Sequence, residues 1–132
     1  MSDRAFLDTN ILIYAVTDDR RAARARKALE KAQVISVQVL NEFANIARRK
    51  LGRTPGEIRE ATERFRAALD VLPITVELHD AALVICERYG FGFFDALIVA
   101  AALDADCTTL YSEDLQHHQV IEKRLRVENP FA

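Results

Sequence analysis

Arg4-Ala5-Phe6-Leu7-Asp8-Thr9-Asn10 is the stretch on which the reading of this chain turns. A short apolar run ends in a carboxylate, and a second apolar stretch, Ile11-Leu12-Ile13-Tyr14-Ala15-Val16, opens directly behind it. This is the pattern of a strand that hands over to a helix, and it leaves an acid at the sheet edge where open α/β sheets collect their ligands. Asp8 also has an ordinary role open to it, the N-cap of the helix beyond. Asn10 either caps that helix or orients Asp8. Three more acids, Glu42, Asp95 and Asp114, stand beside apolar segments elsewhere, and a fold that gathers all four would build a magnesium site suited to phosphodiester chemistry.

Outward from that stretch, apolar runs of strand length fall at residues 4–7, 34–37, 71–75, 107–111 and 125–128. Segments of helical periodicity fill the spaces between them, at 11–16 together with 21–31, then 39–51, 57–69, 77–89 and 95–105. The punctuators sit where elements should end: Gly52-Arg53-Thr54-Pro55-Gly56 separates two helices and Gly90-Phe91-Gly92 closes another. Alternation of this kind predicts an α/β fold, a three-layer α/β/α sandwich around a mostly parallel five-stranded sheet, because parallel strands need crossovers and helices supply them. With 132 residues and no linker or repeat, residues 1–132 read as one domain with a single core.

Half the residues are hydrophobic and 29% are charged, a balance that excludes disorder. The longest apolar run, 96–103, is too short to span a membrane. The N-terminus lacks the basic start and extended apolar segment of a secretory signal, so a cytoplasmic protein is expected. Cys86 and Cys107 lie in apolar surroundings without a zinc or redox spacing and read as reduced packing residues. His79 falls in a helix, and His117-His118, being adjacent, are expected to point in different directions, on the surface or as caps. The net charge of −2 hides an asymmetry, since residues 1–66 hold 14 Lys/Arg against 9 Asp/Glu while residues 67–132 hold 4 against 11. Basic early helices would guide an anionic polymer toward an acidic centre. The plain alternative is solvated helix faces, because Arg20, Arg21, Arg24, Arg26 and Lys27 spread around a helix and Arg48-Arg49-Lys50 mark a helix C-terminus, where the dipole favours cations.

Each of the other acids has its own ordinary role. Glu42 sits three residues after Val39 and four before Ile46, on the flank of the apolar face of its helix, so it points toward the junction with the sheet or lies on a solvated rim. Asp95 opens Ala96 to Leu103, a helix apolar nearly all round, either as a cap or as an ion beside the apolar bulk of Phe91, Phe93 and Phe94 that needs a partner. Asp114 follows the run Thr108-Thr109-Leu110-Tyr111 within Ser112-Glu113-Asp114-Leu115, again just past a strand's carboxyl end, with Glu113 as its competitor and a turn as the alternative. Gathered at about 4 to 6 Å, such acids repel by roughly 3 kcal/mol per pair at an effective dielectric near 20, more than the ~1 kcal/mol a helix dipole supplies. The cluster needs a cation or protons, and Mg²⁺ or Mn²⁺ suits an oxygen-only donor set.

With these residues in hand, the chain resembles a PIN domain (the PilT N-terminal family), and specifically the VapC-type toxins of bacterial toxin–antitoxin pairs. The likeness rests on Leu7-Asp8-Thr9-Asn10, Glu42 on the early helix, Phe94-Asp95-Ala96-Leu97-Ile98-Val99-Ala100-Ala101-Ala102, and Leu110-Tyr111-Ser112-Glu113-Asp114-Leu115, in that order along nearly the full length. The resemblance implies an α/β/α sandwich and a Mg²⁺- or Mn²⁺-dependent endoribonuclease, homodimeric and inhibited by a separate antitoxin, with RNA as substrate. It also implies that Asp8, Glu42, Asp95 and Asp114 are the acidic quartet that binds metal and catalyses hydrolysis. Where many relatives have Thr, a variable residue and Asp, this chain has Ser112-Glu113-Asp114.

Two rivals share the architecture. A receiver-like signalling module would carry paired acids after its first strand, a phosphorylatable Asp after the third and a Lys after the fifth. Here Asp8 stands alone, Pro73-Ile74-Thr75 ends the third strand candidate, and no Lys follows Val127. A degenerate PIN scaffold without catalysis is the other, and the presence of all four acids argues against it.

Overall fold

The computed structural model describes residues 3–132. Strands β1 (Ala5–Leu7), β2 (Val34–Ser36), β3 (Asp70–Leu72), β4 (Thr109–Tyr111), β5 (Val120–Ile121) and β6 (Leu125–Glu128) form one sheet in the order β3-β2-β1-β4-β6-β5. All pairings are parallel except the β5–β6 hairpin. Six helices connect them: α1 (Thr9–Ala15), α2 (Ala22–Lys31), α3 (Val37–Arg49), α4 (Pro55–Ala68), α5 (Val76–Tyr89) and α6 (Phe93–Asp104). The chain steps outward from β1 to β3 through α1–α4, then returns past β1 to β4 through α5 and α6. Right-handed crossovers in opposite directions put these two helix groups on opposite faces. Consistent with that, α1 packs on α2 and α3, α3 on α4, and α5 on α6. The α/β/α sandwich expected from the sequence is therefore observed, and the strand order reverses between the parallel neighbours β1 and β4. No helix among the described residues is long and apolar enough to cross a membrane.

Burial explains the element choices. Phe6, Leu7, Val34, Ile35, Leu110, Leu125 and Val127 are fully buried, as strands covered on both faces must be. Every residue of α6 from Ala96 to Leu103 is buried, so this helix is the apolar slab against which the α5 face of Leu78, Ala82 and Ile85 packs. Phe43 on α3 meets Phe65 on α4 edge to face, with centroids 5.1 Å apart.

Boundaries depart from the sequence reading wherever a cap outranks periodicity. Ser36 leaves the end of its strand to cap α3, accepting from Val39 N. Thr54 and Glu57 form a reciprocal capping box that starts α4 at Pro55, two residues early. Pro73 lies just past β3, which ends at Leu72. The expectation of five strands is corrected to six. The additional β5 pairs with β6 around Glu122-Lys123, both at positive φ (51° and 61°), a mirror-image hairpin turn usually signalled by Asn-Gly. This turn is held from outside: Tyr89 Oη accepts from Glu122 N at 2.9 Å and donates to Glu122 Oε2 at 2.8 Å, and Arg88 pairs with the same carboxylate.

Candidate active site

The β1–β4 ladder places the first acid. Leu7 is in register with Tyr111, and Asp8 N donates to Tyr111 O at 2.9 Å, so Asp8 and Ser112 emerge side by side at the point where strand order reverses. Such a switch point is where open α/β sheets leave a crevice. Asp8 is only 5% exposed. Its Oδ1 accepts from Thr9 N at 2.7 Å and its Oδ2 from Ser112 Oγ at 2.8 Å. It thus occupies the N-cap position of α1 and faces the crevice as well, so the two roles are not alternatives.

Ser112, itself fully buried, joins two acids: while donating to Asp8, its Oγ accepts from Asp114 N at 3.2 Å. Asp114 is also held by Asn10, whose Nδ2 lies 3.3 and 3.2 Å from its two carboxylate oxygens. Asn10 therefore orients the last of the four acids and not Asp8. Asp95 lies in the first turn of α6. Gly92 holds the N-cap position there without a side-chain bond, so Asp95 is not the cap that its place in the sequence allowed. Phe94 beside it is 61% exposed.

Electrostatics ties three of the four acids together. Burial pushes the Asp8 carboxyl up to about 7, against the bonds from Ser112 and Thr9, and the charges of Asp114 and Asp95 add to the rise. Asp114 is raised by burial and then by Asp95 and Glu113, with Asn10 opposing. Asp95 is raised by burial alone. Glu42 joins more indirectly: its Oε1 accepts from Thr9 Oγ1 at 3.3 Å, one residue from Asp8, and Gln38 Nε2 holds its other oxygen at 3.0 Å. No three of these acids bring oxygens within 4.8 Å of one another among the described residues. The acids form an open group and not a closed protein cage.

Sequence reasoning missed Ser112, Thr9 and Gln38, whose hydroxyl and amide groups hold the acids. The available signal was position, since Thr9 and Ser112 are the polar residues next to the ends of adjacent strands. Glu113, the competitor of Asp114, shares the Asn10 amide with it at 3.5 Å but has stronger partners of its own. It accepts from Tyr14 Oη and pairs with Arg21 at 3.4 Å, while Arg21 stacks 4.0 Å over the Tyr14 ring. The expectation that His117 and His118 diverge is also corrected. His118 adopts φ 70°, which folds the pair back so that the rings stack at 3.6 Å and both face Glu128, at 3.9 and 3.4 Å. Cys86 and Cys107 are both free, and burial pushes the Cys107 thiol up to about 11.

Comparison with known proteins agrees with this geometry. No curated protein matches the chain by sequence. Among solved structures, a toxin–antitoxin complex from Klebsiella pneumoniae superposes with a TM-score of 0.72 at 22% identity, covering 96% of this chain and 97% of that one. The DNA-bound VapBC of Salmonella typhimurium gives 0.70 at 23%, covering 98% and 99%. VapC20 of Mycobacterium tuberculosis, described as a sarcin–ricin loop cleaving toxin, gives 0.69 at 21%, covering 82% and 88%. At these identities the likeness speaks to the fold. The model of the PIN domain matches residues 5–123, nearly the whole molecule, and the chain belongs to the PIN domain family.

Proposed function

We propose that this protein is an endoribonuclease dependent on Mg²⁺ or Mn²⁺, the toxin of a type II toxin–antitoxin pair, working in the cytoplasm as a homodimer restrained by a cognate antitoxin. The observation that carries the reading is Asp8: a buried carboxylate, facing Asp95 and Asp114 and raised to about 7, is costly unless a cation or proton relieves it. The donors fit such an ion, since all are oxygens and no His or Cys stands among them. The fold shared with the Klebsiella complex and with VapC20 supports the toxin assignment.

Asp8, Asp95 and Asp114 would hold the metal, with Glu42 ligating or orienting the attacking water. When bound, a divalent ion supplies Lewis acidity toward the phosphate and a water of lowered pKa. The residues around the acids do the positioning. Ser112 and Thr9 N fix the Asp8 oxygens, Asn10 fixes Asp114, and Thr9 and Gln38 aim Glu42. No side-chain nucleophile is required, and hydrolysis would proceed by in-line attack of water on phosphorus. The receiver-like alternative expects strand order 2-1-3-4-5, and the sheet here runs β3-β2-β1-β4. A scaffold without catalysis would leave the cost of burying Asp8 without purpose. The test is cleavage of total RNA by purified protein with Mg²⁺ or Mn²⁺, with EDTA, and with Asp8→Asn. Loss of cleavage in the last two supports the reading, and full activity of Asp8→Asn overturns the site.

A further inference from the structure

Helix α2 carries an unbalanced charge. On α2, Arg24, Lys27 and Lys31 stand at positions i, i+3 and i+7 and so share one face, a run of about 10 Å at 1.5 Å per residue. Arg20, just ahead of the helix, continues it. All four are exposed, and none joins an ion pair among the described residues. Their sequence neighbours behave differently. Arg21 is bound to Asp19 and Glu113, and Arg26 reaches back to the carbonyls of Ala15 and Thr17. The basic residues of this segment are thus sorted into two anchored ones and four free ones, where their spacing alone had suggested an even spread.

The free cations line a trough. One cavity of about 470 Å³ lies between Arg20, Arg24, Glu113 and Phe131. A second, of about 370 Å³, runs on from Arg24 past Lys27 and Lys31 against Tyr111 and Glu128. Arg24 lines both, and Glu113 on the first wall shares the Asn10 amide with Asp114, at 3.5 and 3.2 Å, so the trough opens one side chain away from the acids. Both acids on its walls already have partners: Glu113 has Tyr14 and Arg21, and Glu128 has His117 and His118. Half-buried Phe131 and Tyr111 supply ring surface beside the cations. A cationic groove with aromatic platforms is the pattern that tracks single-stranded nucleic acid.

We infer that the trough along α2, from Arg20 through Arg24 to Lys27 and Lys31, is the path by which single-stranded RNA runs to and from the acidic site. This rests on the proposed nuclease function and adds the direction in which the substrate lies.

The test is binding of a fluorescein-labelled single-stranded RNA to full-length Asp8→Asn protein by anisotropy across a KCl series. Each phosphate contact contributes about 0.7 to the log–log salt slope for single strands. In the same background, R24A/K27A/K31A should flatten the slope by about 2 and weaken binding tenfold or more at low salt. The control R48A/R49A/K50A, at the far end of α3, should match the parent. An unchanged slope in the α2 triple variant with a flattened slope in the α3 variant overturns the path and leaves the nuclease reading standing. Tight binding of an acidic peptide by the α2 face with no RNA response also overturns it. Absence of both RNA binding by the parent and RNA cleavage by the wild type sinks the path and the function together.

Discussion

Glu113 and Asp114 are neighbours in sequence with opposite circumstances. Glu113 points toward α1 and α2, where a phenol and a guanidinium neutralise it, and the Tyr14 hydroxyl is in turn pushed up to about 12 by burial and by that carboxylate. Asp114 has no cation beside it among the described residues, only the Asn10 amide that Glu113 also reaches at 3.5 Å, and burial with the charges of Asp95 and Glu113 raises its carboxyl. One residue's step along a loop separates a charge arranged for stability from a charge arranged against it. Acids that a fold leaves facing one another mark where it works, because a purely structural network would have supplied them with cations.

The strongest way to break this contrast is Asp8→Asn. It should reduce RNA cleavage by roughly 10³-fold or more, the scale of losing a group that acts with its neighbours in the transition state, while thermal melting at pH 8 without metal moves upward. Cleavage near the wild-type rate would erase the distinction between the two regions.

Next in size is a pH effect of definite sign. The folded state keeps the Asp8 proton up to about pH 7, whereas the unfolded chain releases it near its ordinary value, so the stability this group contributes is complete below about pH 4 and is lost as pH rises toward 7. The shift corresponds to on the order of 4 kcal/mol. Urea unfolding of wild type and Asp8→Asn should therefore diverge from pH 4 to pH 8 in favour of the variant, and Mg²⁺ should close the gap by replacing the proton. Parallel curves would mean that Asp8 is solvated after all.

Ser112→Ala tests the link between the two acids. It removes a donor from Asp8 and an acceptor from Asp114 N, at about 1–3 kcal/mol, and should move the acidic limb of the pH–rate profile to higher pH. An unmoved limb would show that Ser112 only packs. The smallest effect belongs to the stabilised neighbour. Glu113→Gln weakens a partly exposed ion pair worth roughly 0–1 kcal/mol and should leave cleavage within about twofold, whereas a hundredfold loss in an RNA assay would place Glu113 in the site.

The layer order, and the places of Asp8 and Asp114 just past strand ends, were legible because they rest on short-range pattern. Strands covered on both faces read as apolar runs, and Asp8 and Asp114 each follow such a run directly. Elements set by contacts between distant residues were not legible. The hairpin at Glu122-Lys123 lacks a turn sequence and is held by Tyr89 and Arg88 on α5. Asn10 meets Asp114 across 104 positions, and nothing near either residue announces the other. The reversal of the His117-His118 pair depends on a left-handed backbone at His118, which is uncommon for any residue other than Gly and is not announced by the sequence. The cations of α2 read as an even scatter because their partners, which divide them into free and bound, lie on other elements.

The bond from Ser112 to Asp8 spans 104 positions, and β1 finds its β4 partner only after most of the polypeptide exists. During translation the Ser112 hydroxyl that steadies Asp8 emerges 104 residues after it. A nascent chain in which β4 has not yet formed therefore carries Asp8 without Ser112 and Asp114, and any chemistry that depends on their meeting waits for that strand.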